Sequence, residues 1–236
     1  MKKFLVIGGI FGGCAAAFLL SYLYVSRPAT ASQTSPARPP IDIAGIRARA
    51  EKGDAQAQAE LGDAYANGEG ITNSYAEAAK WYRLAADQTN AAGQFGLGQL
   101  YDAGQGVPKD AAQALKLYRA AAEQGFSGAQ YNLGFVYETG RGVPRNQTEA
   151  AKWMLLAAQQ GEAMAQYDIG LRYFTGSGTA TNRVEGLKWL ILAAAQGRSD
   201  AAEKQDELKK PMTRAEIKEA RQKAAAFVPT RGIKNP

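Results

Sequence analysis

The sequence predicts an all-α architecture: a right-handed α-solenoid of antiparallel helix pairs, standing after an N-terminal membrane segment. Three observations lead there. Glycine, tyrosine, lysine and alanine recur at a step of 36 residues through four copies, which is the signature of a stacked repeat. Each copy carries two apolar stripes of helical period, parted by a Gly-x-Gly turn. Ahead of the copies lies a long run with no charge at all.

That run, FLVIGGIFGGCAAAFLLSYLYV over Phe4–Val25, follows Met1-Lys2-Lys3. At about 1.5 Å per residue it makes roughly 33 Å of helix, enough to cross a bilayer. Residues 1–25 are therefore expected to be a transmembrane anchor or a signal sequence. Ala29-Thr30-Ala31 fits an A-x-A cleavage pattern, so cleavage after Ala31 and export to the periplasm is the alternative to a retained anchor. In both cases Lys2 and Lys3 hold the N-terminus on the cytoplasmic side and the repeats cross the membrane. Gly12-Gly13-Cys14 also resembles the end of a bacterial lipobox, with Phe11 where that pattern has Leu; otherwise Cys14 is a small apolar membrane residue. Ser26–Pro40, SRPATASQTSPARPP, has four prolines and nothing to bury, so 26–40 is an extended linker. Folded structure is expected from Ile41, with Ile41–Lys52 matching the second helix of a repeat that lacks its first.

The four copies cover Gly53–Gln196 without insertion or deletion. Gly62, Gly98, Gly134 and Gly170 share one slot, and Tyr65, Tyr101, Tyr137 and Tyr173 another. In the third copy Ala129, Leu133, Val136 and Tyr137 form the i, i+4, i+7, i+8 stripe of the first helix. Gly140 can take the left-handed conformation that ends it, and Pro144 prevents its continuation. The second helix starts at Asn146, the slot held by Ser74, Asp110 and Asn182 elsewhere. Glu149, with Glu77, Gln113 and Glu185, stands three residues on, and this spacing predicts a reciprocal capping box in every copy. Gly125, Gly161 and Gly197 end the second helices, with Thr89 as the exception. The fourth copy has Thr179-Ala180 for Val-Pro and Gly186 for Ala, which predicts the loosest turn. Residues 199–228 read as C-terminal capping helices and 229–236 as a disordered basic tail.

The run LGFVYETGRGVPRNQTEAAKWMLLAAQQG, Leu133–Gly161, resembles the consensus of Sel-1-like repeats, 36-residue relatives of tetratricopeptide repeats. The resemblance covers about 53–198. It implies a non-enzymatic protein–protein interaction module or scaffold, and similar bacterial proteins often sit in the cell envelope. It also implies that the exposed side of the first helices lines a concave groove. A helical wheel at about 100° per residue puts that side opposite the apolar stripe. The candidate partner-binding residues are Glu60, Asp63 and Asn67 in the first copy, with Gln99 (beside Gly96 and Ala103) in the second. Asn132, Phe135 and Thr139 follow in the third copy, and Asp168, Leu171 and Thr175 in the fourth. Phe135 and Leu171 are read either as anchors for a partner segment whose polar or basic groups meet Asp63 and Asp168, or as packing against a neighbouring repeat.

Composition narrows the chemistry. The chain of 236 residues has no His, one Cys, and 28 Lys and Arg against 22 Asp and Glu. Without His, and with its Cys outside the repeats, it cannot build a His/Cys zinc site, a Ser-His-Asp triad or a Cys-His pair. No phosphate-binding loop or nucleophile motif is present, so no catalytic residue, cofactor, metal or small-molecule substrate is expected. Nucleic acid is not an expected partner either, because the basic excess lies at the chain ends and the body is nearly neutral. Gln58, Gln94, Gln130 and Gln166 are expected to form an interhelical hydrogen-bond ladder, and Lys80, Lys116, Lys152 and Lys188 a solvated face. Two alternatives to a scaffold remain: an envelope hydrolase directed at cell wall or β-lactams, and a structural spacer.

Overall fold

A computed structural model describes residues 41–230; the expected membrane segment and linker, and the tail beyond Thr230, lie outside the described residues. Eleven α-helices and no strand occur among the described residues. None of these helices is long and apolar enough to cross a membrane.

Helix α1 (Ile43–Glu51) is the half repeat at the start. The four repeats follow as α2 (Ala55–Asn67) with α3 (Tyr75–Asp87), α4 (Ala91–Ala103) with α5 (Ala111–Glu123), α6 (Ser127–Thr139) with α7 (Gln147–Gln159), and α8 (Ala163–Thr175) with α9 (Arg183–Ala195). Then come α10 (Ser199–Leu208) and α11 (Arg214–Ala225), which both pack on α9. From α1 to α9 each helix packs chiefly on its neighbours in the chain, and the buried residues form successive clusters along the stack. This is the quasi-one-dimensional layout of a solenoid.

The turns obey one rule. Gly68, Gly104, Gly140 and Gly176 close the first helices with φ between 71° and 76°. The second turn glycine also has positive φ, and it fits against the start of the preceding second helix. A Cβ on Gly70 would press on Ile43, one on Gly106 would overlap Tyr75, and one on Gly178 would overlap the Gln147 carbonyl. Thus each turn is also an inter-repeat contact. Thr89 takes the left-handed conformation, φ 61°, where the other repeats have glycine.

Capping is only half as expected. Ser74, Asp110, Asn146 and Asn182 each accept the N3 backbone N–H. The return bond from the N3 side chain is missing, because the cap N–H is already used. It donates to the carbonyl of Tyr65, Tyr101, Tyr137 or Tyr173 at 2.8–2.9 Å. The displaced carboxylates instead meet the lysine row, as Glu77–Lys80 (2.5 Å), Glu149–Lys152 (3.7 Å) and Glu185–Lys188 (3.1 Å). The only complete capping box among the described residues is Thr213–Glu216 on α11. Nor is the lysine row uniformly solvated: the Lys188 side chain is 16% exposed and lies 4.0 Å from the Trp189 ring centroid.

The fourth turn is not loose. Arg172, buried in a slot that holds Ala64, Leu100 and Val136 elsewhere, donates to the Ser177 carbonyl and to Gln147, while Thr179 donates to the Arg172 carbonyl. Gly186 is small because the Phe174 ring lies against it. The chain also remains attached past the expected start of the tail: Thr230 donates its N–H to the Gln159 carbonyl at 2.8 Å, and Pro229 lies beside Gly161.

Candidate functional site

The glutamine ladder forms as a framework behind the first helices. Gln58, Gln130 and Gln166 donate to the carbonyls of Ala50, Ala122 and Ala158, each in the preceding second helix. The amide oxygens of Gln58, Gln94, Gln130 and Gln166 accept from Gln88, Gln124, Gln160 and Gln196 at 2.7–2.8 Å. Gln58, Gln130 and Gln166 each therefore tie one first helix to the segments on both sides, which fixes the orientation of the amide, and Gln94 joins the ladder through Gln124. The opposite side of the first helices carries the residues expected to meet a partner.

On that face the expected residues fall into two groups. The ionic ones are engaged within the molecule. Glu60 pairs with Arg49 at 2.7 Å. Asp63 accepts the Tyr82 hydroxyl at 2.5 Å, and Asp168 accepts the Tyr131 hydroxyl at 2.8 Å. Burial pushes both carboxyls up to about 6, against the opposing pull of the tyrosine hydrogen bond; Glu69 and Glu60 raise Asp63 further, and Glu138 raises Asp168. Burial also pushes the Tyr82 and Tyr131 hydroxyls above the usual tyrosine range. Asp63 and Asp168 thus each serve as an acceptor within the fold. A carboxylate so perturbed often marks a catalytic site. Here the two acids belong to the first and fourth repeats and do not make an acid–base pair.

The second group is exposed or half-buried. Asn67, Gln99, Ala103 and Thr175 are exposed; Asn132, Phe135, Thr139 and Leu171 are half-buried. Asn132 shares a hydrogen bond with Tyr118. Thr139 and Thr175 turn their hydroxyls back to the carbonyls of Phe135 and Leu171. Gly96 is buried under the Tyr82 ring: a Cβ there would lie 2.5 Å from it. Phe135 carries the Arg141 guanidinium 5.2 Å from its ring centroid, a cation–π contact, and Arg141 also pairs with Asp102 at 2.9 Å. Phe135 and Leu171 occupy equivalent positions in successive repeats.

Sequence reasoning missed the groups that organise this face: Tyr82, Tyr131, Arg141, Arg172 and Arg198. Arg172 pairs with Glu138 at 2.6 Å, across two repeats, and Arg198 lies over the Tyr167 ring at 4.9 Å. One signal was available, since an arginine in a slot otherwise apolar has to find a buried counter-charge. Among the described residues no group of His, Cys, Asp and Glu could hold a metal ion.

Fold and face together define a helix-pair repeat protein whose ordered surface is a row of first helices. The Sel1 repeat model matches residues 55–90, 91–126, 127–162 and 163–197, and the chain belongs to the Sel1 repeat family. Proteins of this family generally mediate protein–protein interaction. Among solved structures, a Sel1 repeat protein from Oxalobacter formigenes is 31% identical with TM-score 0.64, over 70% of this chain and 48% of that one. The protective antigen c5321 of uropathogenic Escherichia coli strains, which displays an SLR fold, is 27% identical with TM-score 0.50, over 78% of this chain and 48% of that one. This chain therefore matches about half the length of each. Immunity protein Pa5087 from Pseudomonas aeruginosa shares the fold at 19% identity and TM-score 0.53, over 93% of this chain and 84% of that one. A search of curated proteins found no match.

Proposed function

We propose that this protein is a non-enzymatic scaffold that binds a segment of a partner protein along its first-helix face, on the outer side of a bacterial inner membrane. The observation that carries the binding reading is the pairing of Phe135 and Leu171. They are half-buried apolar side chains at equivalent positions of adjacent repeats, on a face where Asp63 and Asp168 each already accept a tyrosine hydroxyl. With those charges internally engaged, the contact to a partner is apolar at its centre and polar at Asn67, Gln99, Thr139 and Thr175. Family membership supports protein binding in general. The membrane placement rests on the uncharged run Phe4–Val25 behind two lysines; in the alternative, cleavage after Ala31 would leave a soluble periplasmic protein.

Affinity capture from envelope extracts with the full chain and with Phe135→Ala tests the reading. An anchor of this kind contributes about 2 kcal/mol or more, so the variant should hold its partner roughly thirtyfold less tightly at an unchanged melting temperature. Equal capture by both proteins would remove Phe135 from the site, and a melt that falls steeply would make Phe135 a packing residue.

A further inference from the structure

We propose that one flank of the last helix, α11, docks on the anionic phospholipid headgroups of the membrane; this rests on the reading that the chain is held at a bilayer. Helix α11 segregates its charges. At about 100° per residue, Arg214, Lys218 and Arg221 fall within an arc of about 60°, while Glu216 and Glu219 fall on the far flank. The buried side between them carries Ala220 and Ala224. On the acidic flank Lys223 is held by Glu185 at 2.8 Å and Glu219 at 3.4 Å, so that side is neutralised within the molecule. On the basic flank Arg214, Lys218 and Arg221 are exposed, and none has an ion pair or hydrogen bond among the described residues. On the neighbouring α10 and its end, by contrast, Lys204 pairs with Glu207 and Lys209 with Asp206.

A row of cations without counter-ions attracts a surface of the opposite sign. An anionic leaflet gives each such residue roughly a fivefold gain in partitioning, and a tether multiplies the effect by keeping the surface near. The 15-residue linker Ser26–Pro40 reaches about 50 Å when extended, which keeps headgroups within range of a tethered body. The three side chains lie in line on one helix, beside an open hollow that Ile217, Gln222 and Ala225 also line, and a continuous sheet of anionic headgroups meets such a row by charge alone. The basic residues Arg231 and Lys234 follow in the sequence.

The test uses the full chain with Cys14→Ser and Val228→Cys, since Val228 is 80% exposed and accepts a dye. The protein is reconstituted into vesicles of phosphatidylcholine alone or with about 30% phosphatidylglycerol, and energy transfer to a headgroup acceptor is read. Transfer should rise with phosphatidylglycerol and fall at about 0.5 M NaCl. It should also be lost in Arg214→Gln/Lys218→Gln/Arg221→Gln, whose partitioning drops about a hundredfold. Transfer that ignores phosphatidylglycerol, or that the triple variant retains, overturns the proposal. So does selective binding of polyglutamate with no response to lipid, which would make the occupant an acidic protein. Flotation with pure phosphatidylcholine vesicles reads the tether separately. A chain that floats only with phosphatidylglycerol, through the three cations, keeps the docking flank and removes the anchor.

Discussion

Asp63 shows how a single side chain on the first helices is governed by its surroundings. Its carboxyl has a folded value of about 6 against an ordinary value of 3.8. Between these values the native state binds more protons than the unfolded chain, so this group's contribution to stability is greatest below about pH 4 and is lost as pH rises through about 6. The shift corresponds to on the order of 1–3 kcal/mol. Asp63→Asn keeps an oxygen for the Tyr82 hydroxyl and removes the buried charge. Its melting temperature should exceed that of the natural protein near pH 7.5 and converge with it near pH 4; a lower melting temperature at pH 7.5 would show that the charge itself stabilises the fold. The helix starts give a second contrast. Asn146→Ala unpairs the Glu149 N–H and should cost about 0.5–2 kcal/mol. Glu149→Ala removes only a surface contact with Lys152 and should cost less than about 1 kcal/mol. Equal losses in urea melts would mean that Glu149 does complete the box.

At the level of elements, the register of the stack was legible in the residues, while much of its cross-linking was not. The 36-residue step placed both helices of each repeat, the left-handed glycines and the glutamine ladder, because each of these follows from local periodicity or from a slot filled alike in every copy. The Tyr65, Tyr101, Tyr137 and Tyr173 carbonyls that take the cap N–H groups were not legible. Whether an N–H meets its own N3 side chain or a backbone oxygen depends on how tightly the turn doubles back, which is a tertiary matter. On the candidate face the helix side was readable, yet the engagement of Asp63 and Asp168 was not. Tyr82 and Tyr118 sit in a slot that Met154 and Leu190 fill elsewhere, so no periodic rule announces a hydroxyl there. The second turn glycine lies against the start of the second helix before it. Its role as an inter-repeat contact predicts unequal costs. Gly197→Ala meets nothing nearby and incurs only the left-handed strain of φ 91°, about 1–2 kcal/mol. Gly178→Ala adds an overlap with the Gln147 carbonyl that α7 relieves only by moving, and should cost about 3 kcal/mol or more in chemical denaturation. Similar losses for the two variants would reduce the turn to its backbone conformation alone.

Over the whole solenoid, stability is a sum of repeats and their interfaces, so an end that lacks a covering layer unfolds first. At the C-terminal end Met212, just before α11, and Ile217 and Ala220 on α11 cover α9, and the chain then doubles back over the last two repeats. Phe227 sets its ring edge-on to Trp189, 5.3 Å between centroids, and packs, as Leu155 does, against the cluster that holds Trp189. Leu155 stands in the slot where Arg83 and Arg119 reach the Tyr101 and Tyr137 hydroxyls, so the repeat departs from its own pattern where the returning segment lands. Phe227→Ala takes away the edge contact, about 0.5–1.5 kcal/mol beyond the area lost, and opens the cover of Trp189, now 2% exposed. Because the repeats touch only their neighbours, the loss should stay local. Amide exchange should quicken in Arg183–Ala195 and leave Ala55–Asn67 at its original rate, while Trp189 fluorescence shifts to the red at lower urea than that of Trp81. Exchange that quickens equally in all four repeats would mean that the stack opens as one cooperative unit, with the returning segment acting on the whole array instead of on its end.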